Sequence, residues 1–416
     1  AARPGGGQGG PAQEDAAVTA PDPFARTRAL FELPEGVIYL DGNSLGPLPR
    51  AARERAAGVV AEEWGRLLIR GWNEAGWIDL PARVGERIGR LIGAEPGSVR
   101  AADSTSVNLF KALSAALALR PGRRTILSDT GNFPTDLYVA QRLAEALGRG
   151  HVLRTVEPEA VAGAIDEDVA VLMLTEVDYR TGRRHEMAAL TARAQAAGAL
   201  TVWDLAHSAG ALPVDLAGAG ADFAVGCGYK YLNGGPGAPA FLYAAPRWQD
   251  AAAPALAGWM GHAAPFDFVP DYAPATGMDR MLVGTPPILS LSALDAALEV
   301  WEGVDLAALR ARSIALSESF VTALEGREDL VLASPRDPQR RGSQVSFRHP
   351  QGYAVMQALI ARGVIGDFRA PDLIRFGFAP LYNTPQEVAR AAAILAEVLE
   401  TAAWDRPEHR RRARVT

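Results

Sequence analysis

Lysine is almost absent from this chain. Of its 42 basic residues only Lys111 and Lys230 are lysines. Where a cation alone was wanted the sequence used arginine, so a retained lysine marks work that guanidinium cannot do. Guanidinium keeps its proton, whereas a partly desolvated ε-amine loses it and forms Schiff bases. Cysteine is scarcer still. Cys227 stands alone, which excludes an intrachain disulfide and fits a reducing cytoplasm. No apolar run reaches the roughly 18 residues of a helical membrane span. The six histidines are scattered, and no Cys/His spacing suggests a metal site. A net charge of −6 with acids and arginines interspersed excludes the basic footprint of a nucleic-acid binder. The glycine-rich start lacks the apolar core of a signal peptide, and residues 1–20 are expected to be disordered. The one basic cluster, Arg410–Arg414, is expected to be a solvated tail.

What is present is a large apolar fraction, 48% of 416 residues, enough for one large domain and a smaller one. Short apolar runs alternate with amphipathic stretches through the first two thirds. The runs are Val99–Asp103, Thr125–Ser128, His151–Thr155, Val169–Thr175, Leu200–Trp203, Phe223–Val225 and Ala238–Tyr243. Val107–Leu119, Pro134–Leu147 and Met187–Ala197 read as helices between them. This alternation predicts an α/β fold with a mostly parallel sheet covered by helices. From residue 289 the texture changes to a long helical pattern, Leu289 to Leu324, then mixed short elements and a closing helix from Pro385. A smaller C-terminal α+β domain is expected. The expected divisions are 1–20, a 21–50 segment contributing to the active site, 51–290, 291–405 and a 406–416 tail.

Lys230 follows an apolar strand run, Ala224-Val-Gly-Cys-Gly-Tyr-Lys, and precedes a glycine-rich loop. Asp204 closes another such run, Thr201-Val-Trp-Asp. A lysine and an aspartate at neighbouring strand ends suit pyridoxal phosphate: the lysine holds the aldehyde and the acid keeps the pyridine nitrogen protonated. Asp103-Ser-Thr-Ser106, Thr175 and His207 also follow strand runs, where open α/β sheets gather their ligands. Thr105 and Ser106 open a helix, so they serve as caps and can also bind phosphate. Lys111 lies inside that helix and is read as a charge on its outer face. The segment Val37–Gly46 is read as an active-site loop because glycine, asparagine and serine let backbone approach a ligand.

The motifs taken together resemble the kynureninase family. They are Tyr39-Leu-Asp-Gly-Asn-Ser-Leu-Gly46, Asn132-Phe-Pro-Thr-Asp136, Trp203-Asp-Leu-Ala-His207, Gly228-Tyr-Lys-Tyr-Leu-Asn233, Gly258-Trp-Met-Gly-His262, Gly284-Thr-Pro-Pro-Ile288 and Arg375 ahead of Ala379-Pro-Leu-Tyr-Asn383. The resemblance implies a fold-type I pyridoxal phosphate enzyme of the aminotransferase class V group, with a seven-stranded sheet. It implies hydrolysis of the Cβ–Cγ bond of kynurenine to anthranilate and alanine, in tryptophan metabolism, by a homodimer with shared active sites. Lys230 becomes the Schiff-base lysine and the base at the substrate α-carbon, and Asp204 the partner of the pyridinium nitrogen. Phe133 stacks on the ring, or acts only as a hydrophobic staple. Asp136 lies close by, and Thr175 contacts the cofactor. His207 is structural or a proton carrier. Tyr229 is an acid/base or a phosphate anchor. Trp259 and Thr285 match phosphate ligands given by a second subunit. Arg375 receives the substrate carboxylate, with Ser44 also on the substrate side. Trp64, Gly284 and Thr285 resemble the pattern preferring kynurenine over its 3-hydroxy derivative. The alternatives are another class V enzyme, such as an aminotransferase, or a non-catalytic pyridoxal-binding protein. A cysteine desulfurase needs a cysteine on a mobile loop after the lysine, and Cys227 precedes Lys230.

Overall fold

The fold is that of a computed structural model, which describes residues 22–413. The segment expected to be disordered, 1–20, lies outside the described residues. The seven strand runs all form strands: β1 Val99–Ala101, β2 Thr125–Asp129, β3 Val152–Val156, β4 Val169–Thr175, β5 Leu200–Asp204, β6 Phe223–Cys227 and β7 Ala240–Ala244. They make one sheet in the order β1-β7-β6-β5-β4-β2-β3. Only β7 runs against its neighbours. Consecutive β4 residues face opposite ways, Val171 and Met173 into one apolar layer and Leu172 and Leu174 into the other. Burial on both faces explains why these strands read as unbroken apolar runs rather than as alternations.

The helices that matter for the site are α1 Arg50–Gly58, α2 Leu80–Leu91, α3 Thr105–Ala118, α4 Pro134–Leu147, α5 Met187–Ala196, α6 Ile288–Ala297, α7 Leu306–Ala323, α8 Gly352–Ile360 and α9 Pro385–Glu400. Ser104, and not Thr105 or Ser106 as expected, caps α3 by accepting from the Val107 N–H, because the helix starts earlier, at Thr105. Pro134 fills the first position of α4, where its missing N–H costs nothing. Thr384 and Glu387 form a reciprocal capping box on α9, worth about 1 kcal/mol. The long helical pattern of 289–324 is in fact two helices. Gly303 takes a left-handed φ of 72° and Asp305 accepts from the Ala307 N–H to start α7 afresh. An amphipathic period carries across such a break without revealing it.

A second, antiparallel sheet holds β8 Val331–Leu332, β9 Gln344–Arg348, β10 Asp367–Arg369 and β11 Leu373–Gly377 in the order β8-β9-β11-β10. Phe320, Phe347, Phe376 and Phe378 pack together beneath it, with α7, α8 and α9 supplying the rest of that core. The early segment contributes here as well. Ile38–Tyr39 pairs in parallel with Val364–Ile365, and Leu40 is fully buried in the same core. The next residues turn away toward the first sheet.

One expectation fails and another holds only in part. Lys111 is not on an outer face: it is fully buried, with Nζ 2.7 Å from Asp103 Oδ2 and 2.6 Å from the Met281 carbonyl. α3 is covered on almost every side, so its sequence period gave no polar face to read. The basic cluster is exposed, as a solvated tail should be, but as far as Ala413 it is not free. Pro407–Arg410 is helical, the Tyr353 hydroxyl accepts from the Ala413 N–H at 2.8 Å, and Arg412 lies over the Tyr353 ring at 5.7 Å. Guanidinium over an aromatic face holds the segment that charge alone suggested would fray.

Candidate active site

β1, β2, β4, β5 and β6 end at one edge of the sheet, and their following residues surround a cavity of about 160 Å³. Its walls carry Ser104, Thr105 and Ser106 after β1, Phe133 and Asp136 after β2, Thr175 at the end of β4, Asp204 and His207 at β5, and Tyr229 and Lys230 after β6. Nine of the residues singled out from sequence therefore meet in one place. The remainder of the expected set divides. Arg375 and Ser44 do not line the cavity but are bonded to each other, and Arg375 reaches the carbonyl of Tyr179, which does. Trp64, Trp259, Gly284 and Thr285 lie away from it: Trp64 is exposed, Trp259 packs near Phe266 and Phe268, and Gly284 and Thr285 border a separate small pocket.

At the floor, Asp204 and Asp136 are both buried and hydrogen-bonded to each other. Burial pushes both carboxyls up. Asp136 goes well above the usual range because the Asp204 charge adds to burial, while Lys230 and Thr175 act the other way. On Asp204 the Lys230 charge, the Ala206 N–H at 2.7 Å and the Asp136 hydroxyl pull back down. Of the two, Asp136 is pushed up further, which favours the proton there and the negative charge on Asp204.

Lys230 ends a directed chain of donors. Gln344 Nε2 donates to the Tyr179 carbonyl at 3.0 Å, so its Oε1 faces His207 Nδ1 at 2.9 Å. That fixes the Nδ1–H tautomer and presents the bare Nε2 to Lys230 Nζ, 3.0 Å away. Burial, followed by the Lys230 and Arg375 charges, pushes His207 well below its ordinary pKa, so the ring stays neutral. Sequence reading missed Gln344 as a site residue; nothing in its strand distinguishes it from a core polar residue.

Phe133 is aimed by its neighbour Asn132, whose Oδ1 accepts from the Phe133 N–H at 2.7 Å and from the Thr175 hydroxyl. Phe133 keeps 42% of its surface exposed and meets Tyr179 edge-on at 5.1 Å, which leaves it a free face over the cavity. The Tyr229 phenol is pushed up by burial, with Cys227 and Asp204 adding, so it stays protonated. Arg375 is 1% exposed and held at three nitrogens. Nε meets Asp367 Oδ1 at 2.6 Å, one terminal nitrogen meets the other Asp367 oxygen and Ser44, and the last reaches the Tyr179 carbonyl. Asp367 stands directly opposite Arg375 across β10 and β11. The strand β10 went unread because a run of Asp-Phe-Arg looks like loop.

Glycine enables one close approach. The Gly46 N–H donates to the Tyr229 carbonyl at 2.8 Å, and a β-carbon there would lie 2.7 Å from Asn233 Cα and crowd the Lys230 carbonyl. Gly46→Ala is therefore expected to cost about 1–3 kcal/mol by overpacking. Chemical denaturation should show a lower midpoint; an unchanged midpoint would mean the Lys230 loop is free to yield.

Comparison with known proteins bears directly on this arrangement. Residues 309–395 match the family model described as the kynureninase C-terminal domain. The kynureninase of Pseudomonas fluorescens is 53% identical over 408 residues, covering 96% of this chain and 98% of that protein. That of Deinococcus radiodurans is 56% identical, covering 92% of this chain and 95% of that protein. The chain belongs to the kynureninase family. It is a pyridoxal phosphate-dependent enzyme that hydrolyses a carbon–carbon bond, cleaving kynurenine to anthranilate and alanine. Among solved structures, a cysteine desulfurase from Thermococcus onnurineus superposes with a TM-score of 0.77 at 22% identity, covering 90% of this chain and 98% of that one. A C-DES mutant with glycine covalently linked to its pyridoxal phosphate gives 0.76 at 20% identity, over 89% of this chain and 99% of that one. These two establish the fold of the pyridoxal phosphate class V enzymes. Kynureninase chemistry also fits Cys227, which is buried in β6 and has its thiol pushed up by burial.

The cavity suits the cofactor on its own evidence. Two buried carboxyls, Asp136 and Asp204, line the cavity and call for a cation, which a pyridinium N–H supplies. Thr105 and Ser106, at the start of α3, also line the cavity, where their hydroxyls and the first N–H groups of the helix could meet a phosphate.

Proposed function

We propose that Lys230, Asp204 and Tyr229 carry the hydrolysis in the cavity beyond β5 and β6. The observation that supports this most is the meeting of two buried carboxyls, Asp136 and Asp204, in one cavity with Lys230, whose Nζ lies 3.0 Å from His207 Nε2. Pyridoxal phosphate, when bound, supplies an aldehyde that captures the substrate amine and a ring that draws electrons from its α-carbon. Asp204 receives the ring N–H, with Asp136 protonated behind it. Phe133 and Thr175 hold the ring, and Thr105, Ser106 and Tyr229 hold the phosphate. Arg375, kept planar and preset by Asp367, receives the substrate carboxylate, with Ser44 yielding its place on the guanidinium. Lys230, oriented by His207, takes the α-proton. Water adds at the substrate γ-carbonyl, and Tyr229, protonated because it is buried, donates in the later steps.

A second copy of the chain is proposed to complete the site with Trp259 and Thr285. Supporting this, both lie off the cavity, Phe266 and Phe268 beside Trp259 are exposed apolar residues, and a second exposed apolar group, Val60, Trp64, Leu68 and Ile69, lies elsewhere on the chain. Trp64, Gly284 and Thr285 on that second copy then set the preference for kynurenine, because an indole offers little to a ring hydroxyl. A cytoplasmic location is part of the proposal, supported by the single buried cysteine. Among the described residues no helix is long and apolar enough to cross a membrane.

The test is turnover of kynurenine and 3-hydroxykynurenine by purified protein with added pyridoxal phosphate. Anthranilate and alanine should appear in equal amounts, with the higher kcat/KM for kynurenine. A higher value for the hydroxylated substrate would overturn the preference. Amino transfer to a keto acid without anthranilate would overturn the assigned roles.

A further inference from the structure

The second lysine also has a place near the chemistry. We infer that Lys111 is a positioning residue for phosphate recognition, tying the turn that carries Ser104, Thr105 and Ser106 to the segment that leads into Thr285. This rests on the reading that the phosphate sits at the start of α3. Lys111 reaches back two turns along α3, and its ammonium joins two pieces of chain far apart in sequence. One is Asp103, at 2.7 Å; the other is the Met281 carbonyl, at 2.6 Å.

Asp103 needs such a tie. It is a non-glycine residue with φ of 50°, in the left-handed region that L side chains rarely adopt. Its carbonyl accepts from the Ala240 N–H at 2.9 Å, and one turn before Lys111, Asn108 Nδ2 donates to the Ala102 carbonyl at 2.8 Å. Two side chains on one face of α3 thus fix the strained turn from which the Ser104 cap and the free N–H groups project. On its other side Lys111 anchors the stretch that runs through Leu282 and Val283 to Thr285. An ion pair whose lysine is fully buried, even with a partly exposed aspartate, is a poor way to gain stability, since desolvation offsets much of the attraction. It is a good way to fix geometry. A compact ammonium with three donor directions can reach two acceptors in a crowded site, where a planar guanidinium presents a broad fork.

The experiment titrates protein stripped of its cofactor with pyridoxal phosphate and, separately, with pyridoxal, following absorbance. Lys111→Met should weaken pyridoxal phosphate binding by about tenfold or more, the scale of losing one charge-assisted hydrogen bond from the support. Binding of pyridoxal, which lacks the phosphate, should stay within about twofold. Lys111→Met leaves Asp103 unpaired, so Asp103→Asn with Lys111→Met is measured as well. The double variant should recover its denaturation midpoint and still bind pyridoxal phosphate weakly. Equal weakening of both ligands, no weakening, or recovery of phosphate binding in the double variant would each overturn the inference. Thr105→Ala with Ser106→Ala is the control on the underlying reading. If it leaves the preference for pyridoxal phosphate over pyridoxal intact, the phosphate lies elsewhere and the reading fails at that step instead.

Discussion

Lys230→Ala is expected to leave a folded protein with no measurable turnover, a loss of at least about four orders of magnitude. The residue lies on a loop past the end of β6 and is only partly buried, so its removal takes little from the core. What is lost is the sole amine in the cavity and the last member of the chain from the Tyr179 carbonyl through Gln344 and His207. His207 cannot substitute. It has no primary amine with which to form a Schiff base, and burial, with the Arg375 charge, still disfavours a proton on its ring once Lys230 is gone. Lys230→Arg should fail almost as completely, because guanidinium does not release a proton at working pH. Kynurenine consumption measured alongside a far-ultraviolet circular dichroism spectrum checks both parts. Turnover within a hundredfold of the parent in a folded Lys230→Ala protein would remove Lys230 from the chemistry.

Some of this site was legible in the residues and some could not have been. Strand ends are local: an apolar run that stops at Asp204, or at Gly-Tyr-Lys230, announces both the strand and its polar terminus. Parallel topology then forces those termini to one edge, which is why Thr105, Thr175, Asp204, His207 and Lys230 could be named from strand ends, whereas Phe133, Asp136 and Tyr229 were legible only through the family resemblance. Gln344 lies 137 residues from His207 and sits in a different sheet, so no spacing rule connects them. Asp367 pairs with Arg375 only because β10 and β11 align, and a register cannot be read from a three-residue polar strand. Lys111 was misread for a physical reason as well. A rule that places lysine at the surface weighs the cost of burying a charge, and here Asp103 and a carbonyl offset that cost. Trp64, Trp259 and Thr285 do not line the cavity of their own chain, so their expected roles rest on the proposed second copy.

Asp204→Asn is the other change expected to act strongly, with turnover down by about 10³-fold, the scale of removing one preorganised electrostatic partner. The amide keeps the shape and can still accept from the Ala206 N–H, which Asp204 Oδ1 now does at 2.7 Å. Toward the cavity, however, it offers an N–H where a negative oxygen stood. Asp136 is the natural candidate to compensate, being the partner in the pair. It does so poorly. Its carboxyl is raised first by burial and only second by the Asp204 charge, so removing that charge still leaves burial holding the proton on Asp136. The two single variants should therefore differ in degree. Asp136→Asn removes a group that already carries a proton and should cost about tenfold, the size of one neutral hydrogen bond. Asp204→Asn removes the anion itself and should also weaken cofactor binding. Measuring kcat and cofactor affinity for both variants decides the matter. Equal losses would mean the pair shares its charge evenly, and a larger loss in Asp136→Asn would exchange the two roles.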